Sequence, residues 1–98
     1  MQKKEAAVLL KALGHELRLK MIKVVMKNND ITASELIKIM GCTQPTLSHH
    51  TKILVDSGLV VLRRDWKWIH YSVNLEKIQE LCDFISTPCC CHCQNEQN

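Results

Sequence analysis

The stretch Thr43-Gln-Pro-Thr-Leu-Ser-His-His-Thr-Lys-Ile-Leu-Val-Asp-Ser-Gly58, followed directly by Leu59-Val-Val-Leu-Arg-Arg-Asp-Trp-Lys-Trp-Ile-His-Tyr-Ser-Val73, decides the fold. It reads as one helix and then two short strands. Thr43 is a good N-cap, Pro45 sits in a first turn where no intrahelical donor is lost, and Gly58 is a natural stop. At 100° per residue, Leu47, His50 and Leu54 fall on one side of the helix. Gln44, Ser48, His49 and Lys52 fall on the other, with Thr46 near its edge. A narrow apolar stripe opposite a row of short hydrogen-bonding side chains suits a helix that enters a DNA major groove. An ordinary amphipathic surface helix shows the same pattern, so the flanking residues must decide.

On the N-terminal side, Thr32 with Glu35 three residues on forms a capping-box pattern, and Leu36, Ile37 and Met40 form a stripe that ends at Gly41. Only Cys42 separates that helix from the cap of the next. So tight a connection forces a steep crossing, the helix-turn-helix geometry. On the C-terminal side, Leu59 to Arg63 is rich in strand formers, Asp65-Trp66-Lys67 offers a turn, and Ile69, Tyr71 and Val73 alternate with Trp68, His70 and Ser72. The expectation is a two-stranded β-hairpin wing. From Thr43 to Val73 the cations Lys52, Arg63, Arg64 and Lys67 face only Asp56 and Asp65. Basic groups beside a groove-reading helix are placed for backbone phosphates.

Further out, Lys3 to Leu13 has Val8, Leu9, Ala12 and Leu13 at helical spacing. His15 to Lys27 carries Leu17, Met21, Val24 and Val25 opposite Lys20, Lys23 and Lys27. Asn28-Asn29-Asp30 is a turn. Leu75 to Ser86 places Leu75, Ile78, Leu81, Cys82 and Ile85 on one stripe, which packs on the core or on a second subunit. The segmentation is therefore a mainly α (α+β) winged helix-turn-helix domain over residues 1–86, then a flexible Cys-rich tail over 87–98 that lacks the apolar content to fold alone.

Composition agrees. Ninety-eight residues with 46% apolar content support one domain, and chains this small often dimerise to bury the remaining aliphatic surface. A net charge of +3 permits an anionic partner without demanding one. No apolar run approaches the roughly 20 residues that cross a bilayer. The N-terminus lacks a signal-peptide core, so the reading is cytoplasmic, with reduced thiols and no membrane partner.

The assembled residues resemble the ArsR/SmtB family of metal-sensing winged-helix repressors. Leu13-Gly-His-Glu-Leu-Arg-Leu19, Gln44-Pro-Thr-Leu-Ser-His-His50 and the strand from Trp68 to Tyr71 carry the resemblance, which runs from about Lys11 to Val73. It implies a homodimer joined through the first and last helices, bound to a palindromic operator and released when a metal or metalloid binds. Two features depart from the family. Thr32 and Ser34 stand where many members carry Cys-x-Cys, and the last helix has Glu76, Glu80 and Asp83 but no histidine ligand.

Any sensing site must therefore be built elsewhere, and Cys89, Cys90, Cys91 and Cys93, with His92 between, are the strongest chemical signal outside the helix-turn-helix. Thiolates select soft ions. As(III) or Sb(III), which favour three sulfurs, rank first, and Cd²⁺, Pb²⁺ or Zn²⁺ second. A reactive tail without a ligand is the plain alternative, and a disulfide switch ranks lower because neighbouring cysteines make strained pairs. Cys82 reads as a small buried hydrophobe and Cys42 as a packing residue between two helices. His50 reads as a core histidine, His15 as a helix-start residue and His70 as a wing surface residue. Trp66 either inserts toward a groove or shields the hairpin.

The function expected is transcriptional repression. Gln44, Thr46, Ser48 and His49 would face the major groove, Lys52, Arg63, Arg64 and Lys67 the phosphates, and Cys89, Cys90, Cys91 and Cys93 the inducer. A redox-responsive or inducer-independent regulator of the same fold and a cytoplasmic metal-buffering protein are the alternatives. A small thiol enzyme is disfavoured, because no base or phosphate loop accompanies the cysteines and nothing points to a small organic substrate.

Overall fold

The computed structural model describes residues 1–88. Its centre is a helix pair, α3 (Ala33–Met40) and α4 (Gln44–Ser57), whose ends are set by local chemistry. The Thr32 hydroxyl accepts from the Glu35 N–H at 3.3 Å, and the Glu35 carboxylate accepts from the Thr32 N–H at 3.2 Å. These bonds to Thr32 hold the Glu35 carboxyl below its ordinary pKa. Gly41 at φ 67° reverses the chain, and Thr43 caps α4 by accepting from the Thr46 N–H at 3.4 Å. Gly58 ends α4 at φ 89°, with its N–H directed at the carbonyls of Leu54 and Val55. An added Cβ at Gly41 would meet nothing within 4 Å, so the left-handed backbone alone demands glycine there.

The wing is the hairpin of β2 (Val60–Asp65) and β3 (Trp68–Val73), paired Asp65 to Trp68 around the two-residue loop Trp66–Lys67. A third strand, β1 (Ile31–Thr32), adds to the outer edge of β3 and completes a sheet in the order β1-β3-β2. The expected two-stranded wing thus becomes a three-stranded antiparallel sheet. A strand of two residues between a turn and an N-cap is too short for any periodicity to reveal. Residues opposite each other share a face, so Ile31, Val60, Leu62, Arg64, Ile69, Tyr71 and Val73 lie on one side. Thr32, Val61, Arg63, Asp65, Trp68, His70 and Ser72 lie on the other. Trp66 holds φ 58°, a left-handed conformation that costs a side-chain-bearing residue roughly 1–2 kcal/mol.

Three further helices close the core: α1 (Lys3–Leu13), α2 (Glu16–Lys27) and α5 (Leu75–Ser86). Leu9, Met21, Val25, Leu36, Leu54 and Leu59 are the largest fully buried side chains and come from α1, α2, α3, α4 and the start of the wing. The α1 stripe is rotated from the expected one. Ala6, Leu9 and Ala12 are buried, whereas Val8 is 54% exposed. On α5 only Leu81 is buried, while Leu75 and Ile85 remain 61% and 58% exposed. Cys82 is exposed, not the buried hydrophobe its stripe suggested, because α5 reaches the core along a narrow edge centred on Leu81. Among the described residues no helix is long and apolar enough to cross a membrane.

Candidate nucleic-acid interface

Helix α4 presents two distinct faces. Leu47, His50, Thr51 and Leu54 are buried, and Gln44, Ser48, His49 and Lys52 are exposed. Thr51, which the sequence reading did not place, is tolerated inside because its hydroxyl donates to the Leu47 carbonyl at 2.9 Å. Thr46 is half-buried and its hydroxyl accepts from the Thr43 hydroxyl at 3.0 Å, so the cap engages this groove candidate. Lys52 pairs with Asp56 at 3.3 Å, but both are well exposed, and such an i, i+4 pair contributes only about 0.3–0.5 kcal/mol. Lys52 is easily released to a phosphate.

The helix is held from behind by Arg18 of α2. Its Nε donates to the Ala12 carbonyl in the last turn of α1 at 2.6 Å, and Nη1 lies 3.2 Å from His50 Nδ1. A guanidinium only donates, so His50 Nδ1 accepts and its ring proton sits on Nε2. One side chain thereby ties α1 and α2 to the middle of α4. Burial holds the His50 pKa below its ordinary value, helped by the proximity of His15, Arg18 and His49. The His15 ring lies 4.6 Å from that of His50, and the His49 ring 5.0 Å. His15 caps α2, accepting from the Leu17 N–H at 3.1 Å. The core role of His50 and the helix-start role of His15 were readable in sequence; the role of Arg18 was not, because its partner is 32 positions away.

The wing cations do not form one cluster. Arg63 and Arg64 point to opposite faces of the hairpin. Arg63 is bound to Asp30 at 2.6 Å and lies 3.9 Å from Asp65, and His70 Nδ1 lies 3.0 Å from the Asp30 carbonyl. Asp30, at φ 66°, thus anchors the turn before β1 to both wing strands. Arg64 is exposed on the face that continues toward α4. The Lys67 ammonium lies 4.9 Å from the Trp66 ring and 5.5 Å from the Trp68 ring. Lys67 and Trp68 line a cleft of about 210 Å³ together with Gln44, Thr32 and Ser34. A second cleft of about 330 Å³ runs between Ser48 and Lys52 on one side and Leu62 and Tyr71 on the other. The first turn of α4 and the wing therefore share one surface.

Thr32 and Ser34 stand at the start of α3, where Thr32 spends its hydroxyl on the cap. Among the described residues no group of three or more His, Cys, Asp or Glu side chains is placed to hold a metal ion. Cys42 is half-buried against the core between α3 and α4, as the sequence suggested. Cys89, Cys90, Cys91 and Cys93, with His92, lie outside the described residues.

Comparison with known proteins places this architecture. The family model described as "Bacterial regulatory protein, arsR family" matches residues 15–61, from the cap of α2 to the start of β2. An arsenical resistance operon repressor of Staphylococcus aureus is 32% identical over 99 residues, spanning 97% of this chain and 94% of that protein. A biofilm growth-associated repressor of Xylella fastidiosa is 36% identical over 86 residues, 88% of this chain and 75% of that protein. Among solved structures, a homodimeric winged helix-turn-helix DNA-binding domain from Mycobacterium bovis superposes with a TM-score of 0.72 at 22% identity, covering 84% of this chain and 75% of that one. The capped helix pair, the wing packed beside it and the near full-length match to other repressors make this chain a member of the ArsR family of transcriptional repressors, which are DNA-binding regulators and not enzymes.

Proposed function

We propose that the chain acts as a homodimer on a two-fold operator and leaves it when a thiophilic metal or metalloid binds. The observation that carries the DNA half is the exposed row Gln44, Ser48 and His49 on a helix locked from behind by Arg18. Gln44, Thr46, Ser48 and His49 meet base edges, and Lys52, Arg64 and Lys67 meet phosphates. Arg63 contributes less, because Asp30 already holds it. Dimerisation covers the apolar side chains left open on α1 and α5, Val8, Leu75 and Ile85 among them. Two-fold symmetry then sets the two α4 helices about 34 Å apart, in successive major grooves.

The inducer half rests on donor chemistry. Cys89, Cys90, Cys91 and Cys93 offer four thiols within five residues, a soft set that suits As(III) or Sb(III) first and Cd²⁺, Pb²⁺ or Zn²⁺ second. The name of the staphylococcal relative points the same way. A coupling of a few kcal/mol between the two sites would empty an operator. The test is a titration of the reduced protein on its own promoter with arsenite, antimonite, Cd²⁺ and Zn²⁺. Tight binding is expected, abolished by one soft ion. The variant with all four tail cysteines replaced by serine should keep DNA binding and lose the response. Tight binding indifferent to every ion would refute the inducer assignment. It would favour the second reading, a repressor of the same fold answering another signal, which the name of the Xylella relative supports.

A further inference from the structure

We propose that Trp66 is a wedge that enters the minor groove flanking each half-site and gives the protein a preference for easily unstacked A·T steps there. The inference rests on the DNA-binding reading above. Its carrying observation is an indole 84% exposed at the wing tip, on a backbone at φ 58° where glycine would sit without strain. The described structure gives this ring one neighbour of note, the Lys67 ammonium. The fold therefore accepts both backbone strain and an exposed aromatic at this position, and neither stabilises the chain itself.

The chemistry of the tip selects the occupant. Lys67 lies between the rings of Trp66 and Trp68, so one cation and two aromatic faces project together. The polar side-chain groups of residues 66–68 are two indole N–H groups and an ammonium, all donors with no acceptor among them. The floor of the minor groove at A·T pairs displays only acceptors, adenine N3 and thymine O2, whereas G·C adds a donor. On B-DNA a minor groove borders every major groove. The tip reaches out from the surface that holds Gln44, as the shared cleft shows. Apolar side chains inserted at a minor-groove step partly unstack it and kink the duplex by about 20–90°, and pyrimidine–purine steps yield most readily. Arg63, Arg64 and Lys67 against Asp65 keep the hairpin net positive beside the phosphates.

The test uses duplexes selected by the full-length wild-type protein from a random-sequence pool, with 2-aminopurine placed at the flanking step. Wild-type protein is expected to enrich TA steps in both flanks, to raise the 2-aminopurine fluorescence and to bend the duplex. Trp66→Gly removes the indole where backbone strain favours glycine, so the fold is retained. It should bind about 10- to 100-fold more weakly, leave the fluorescence unchanged and lose the flank preference. Replacing both flanks with G·C pairs should weaken wild type by a similar factor and barely affect Trp66→Gly. Equal binding by the two proteins, or a loss in Trp66→Gly that is the same for every flank, would overturn the wedge while leaving the repressor intact. Failure of the wild type to select any duplex would overturn the DNA-binding reading itself, and the wedge with it.

Discussion

Replacing Arg18 with Met keeps the aliphatic stem of the side chain and removes the guanidinium that joins α1, α2 and α4. Two hydrogen bonds disappear, Nε to the Ala12 carbonyl at 2.6 Å and Nη1 to His50 Nδ1 at 3.2 Å. Hydrogen bonds from a charged group contribute about 1.5–3 kcal/mol each, and a buried acceptor left without a partner costs about 1–3 kcal/mol. His50 is 6% exposed and Ala12 5%, so Nδ1 and the Ala12 carbonyl are both left short of a partner in the interior. The net loss should be about 2–4 kcal/mol, read by urea unfolding at a fixed protein concentration. For a domain of this size that corresponds to a fall in Tm of roughly 10–30 °C. The pH dependence supplies an independent check. Because the folded pKa of His50 lies below its unfolded value, the unfolded chain takes up the proton first. Stability is therefore full above about pH 6.5, the unfolded value, and is lost as pH falls from there toward the folded pKa. Burial, the largest cause of the shift, survives the substitution, but the neighbouring positive charge does not. The acid-side slope of Arg18→Met should thus be shallower than that of wild type. A cycle with His50→Ala should show a coupling above about 0.5 kcal/mol, the range seen for residues in contact. A cost below about 0.5 kcal/mol together with an unchanged acid slope would refute the latch.

Two residues with nearly matching φ should respond in opposite directions. Gly41→Ala, at φ 67° with open space around the new Cβ, should lose about 1–2 kcal/mol, whereas Trp66→Gly, at φ 58°, should leave stability unchanged or raise it by up to about 1 kcal/mol. Paired denaturation curves measure both. The slope of log affinity against log salt should shrink by about 1.8 in Arg64→Ala, about 0.9 for each of the two phosphate contacts that a homodimer loses. It should shrink by less in Arg63→Ala, whose side chain is already bound to Asp30. Equal changes in the two slopes would show that Asp30 gives way to the phosphate.

How far sequence reached depended on how far apart the interacting residues lie. Thr32 with Glu35, Thr43 with Thr46, and the left-handed stops at Gly41 and Gly58 act within four positions, and each was legible from residue type and spacing alone. The exposed face of α4 followed from the same helical period. Arg18 with His50 and Asp30 with Arg63 bridge 32 and 33 positions, and no local pattern marks one charged residue as the partner of another so distant. Arg63 and Arg64 looked like neighbours on one surface, but strand alternation sends them to opposite faces. The stripe on α5 showed that something must be covered, yet not by what. Leu81 meets the core, while Leu75, Cys82 and Ile85 face away from it. The two-residue β1 had no period to read.

The guanidinium of Arg18 gives the protein a mechanical property as well. Since it clamps the last turn of α1 to the midpoint of α4, these helices form one stiff lever whose two ends cannot be adjusted separately. If α1 lies at the seam of the proposed dimer, each α4 helix sits about 17 Å from the two-fold axis, half of the 34 Å spacing. A rotation of about 10° at the seam then carries it about 3 Å, close to the rise of about 3.4 Å per base pair. A hinge motion too small to disturb the core is thus large enough to put both helices a full base pair out of step with the DNA.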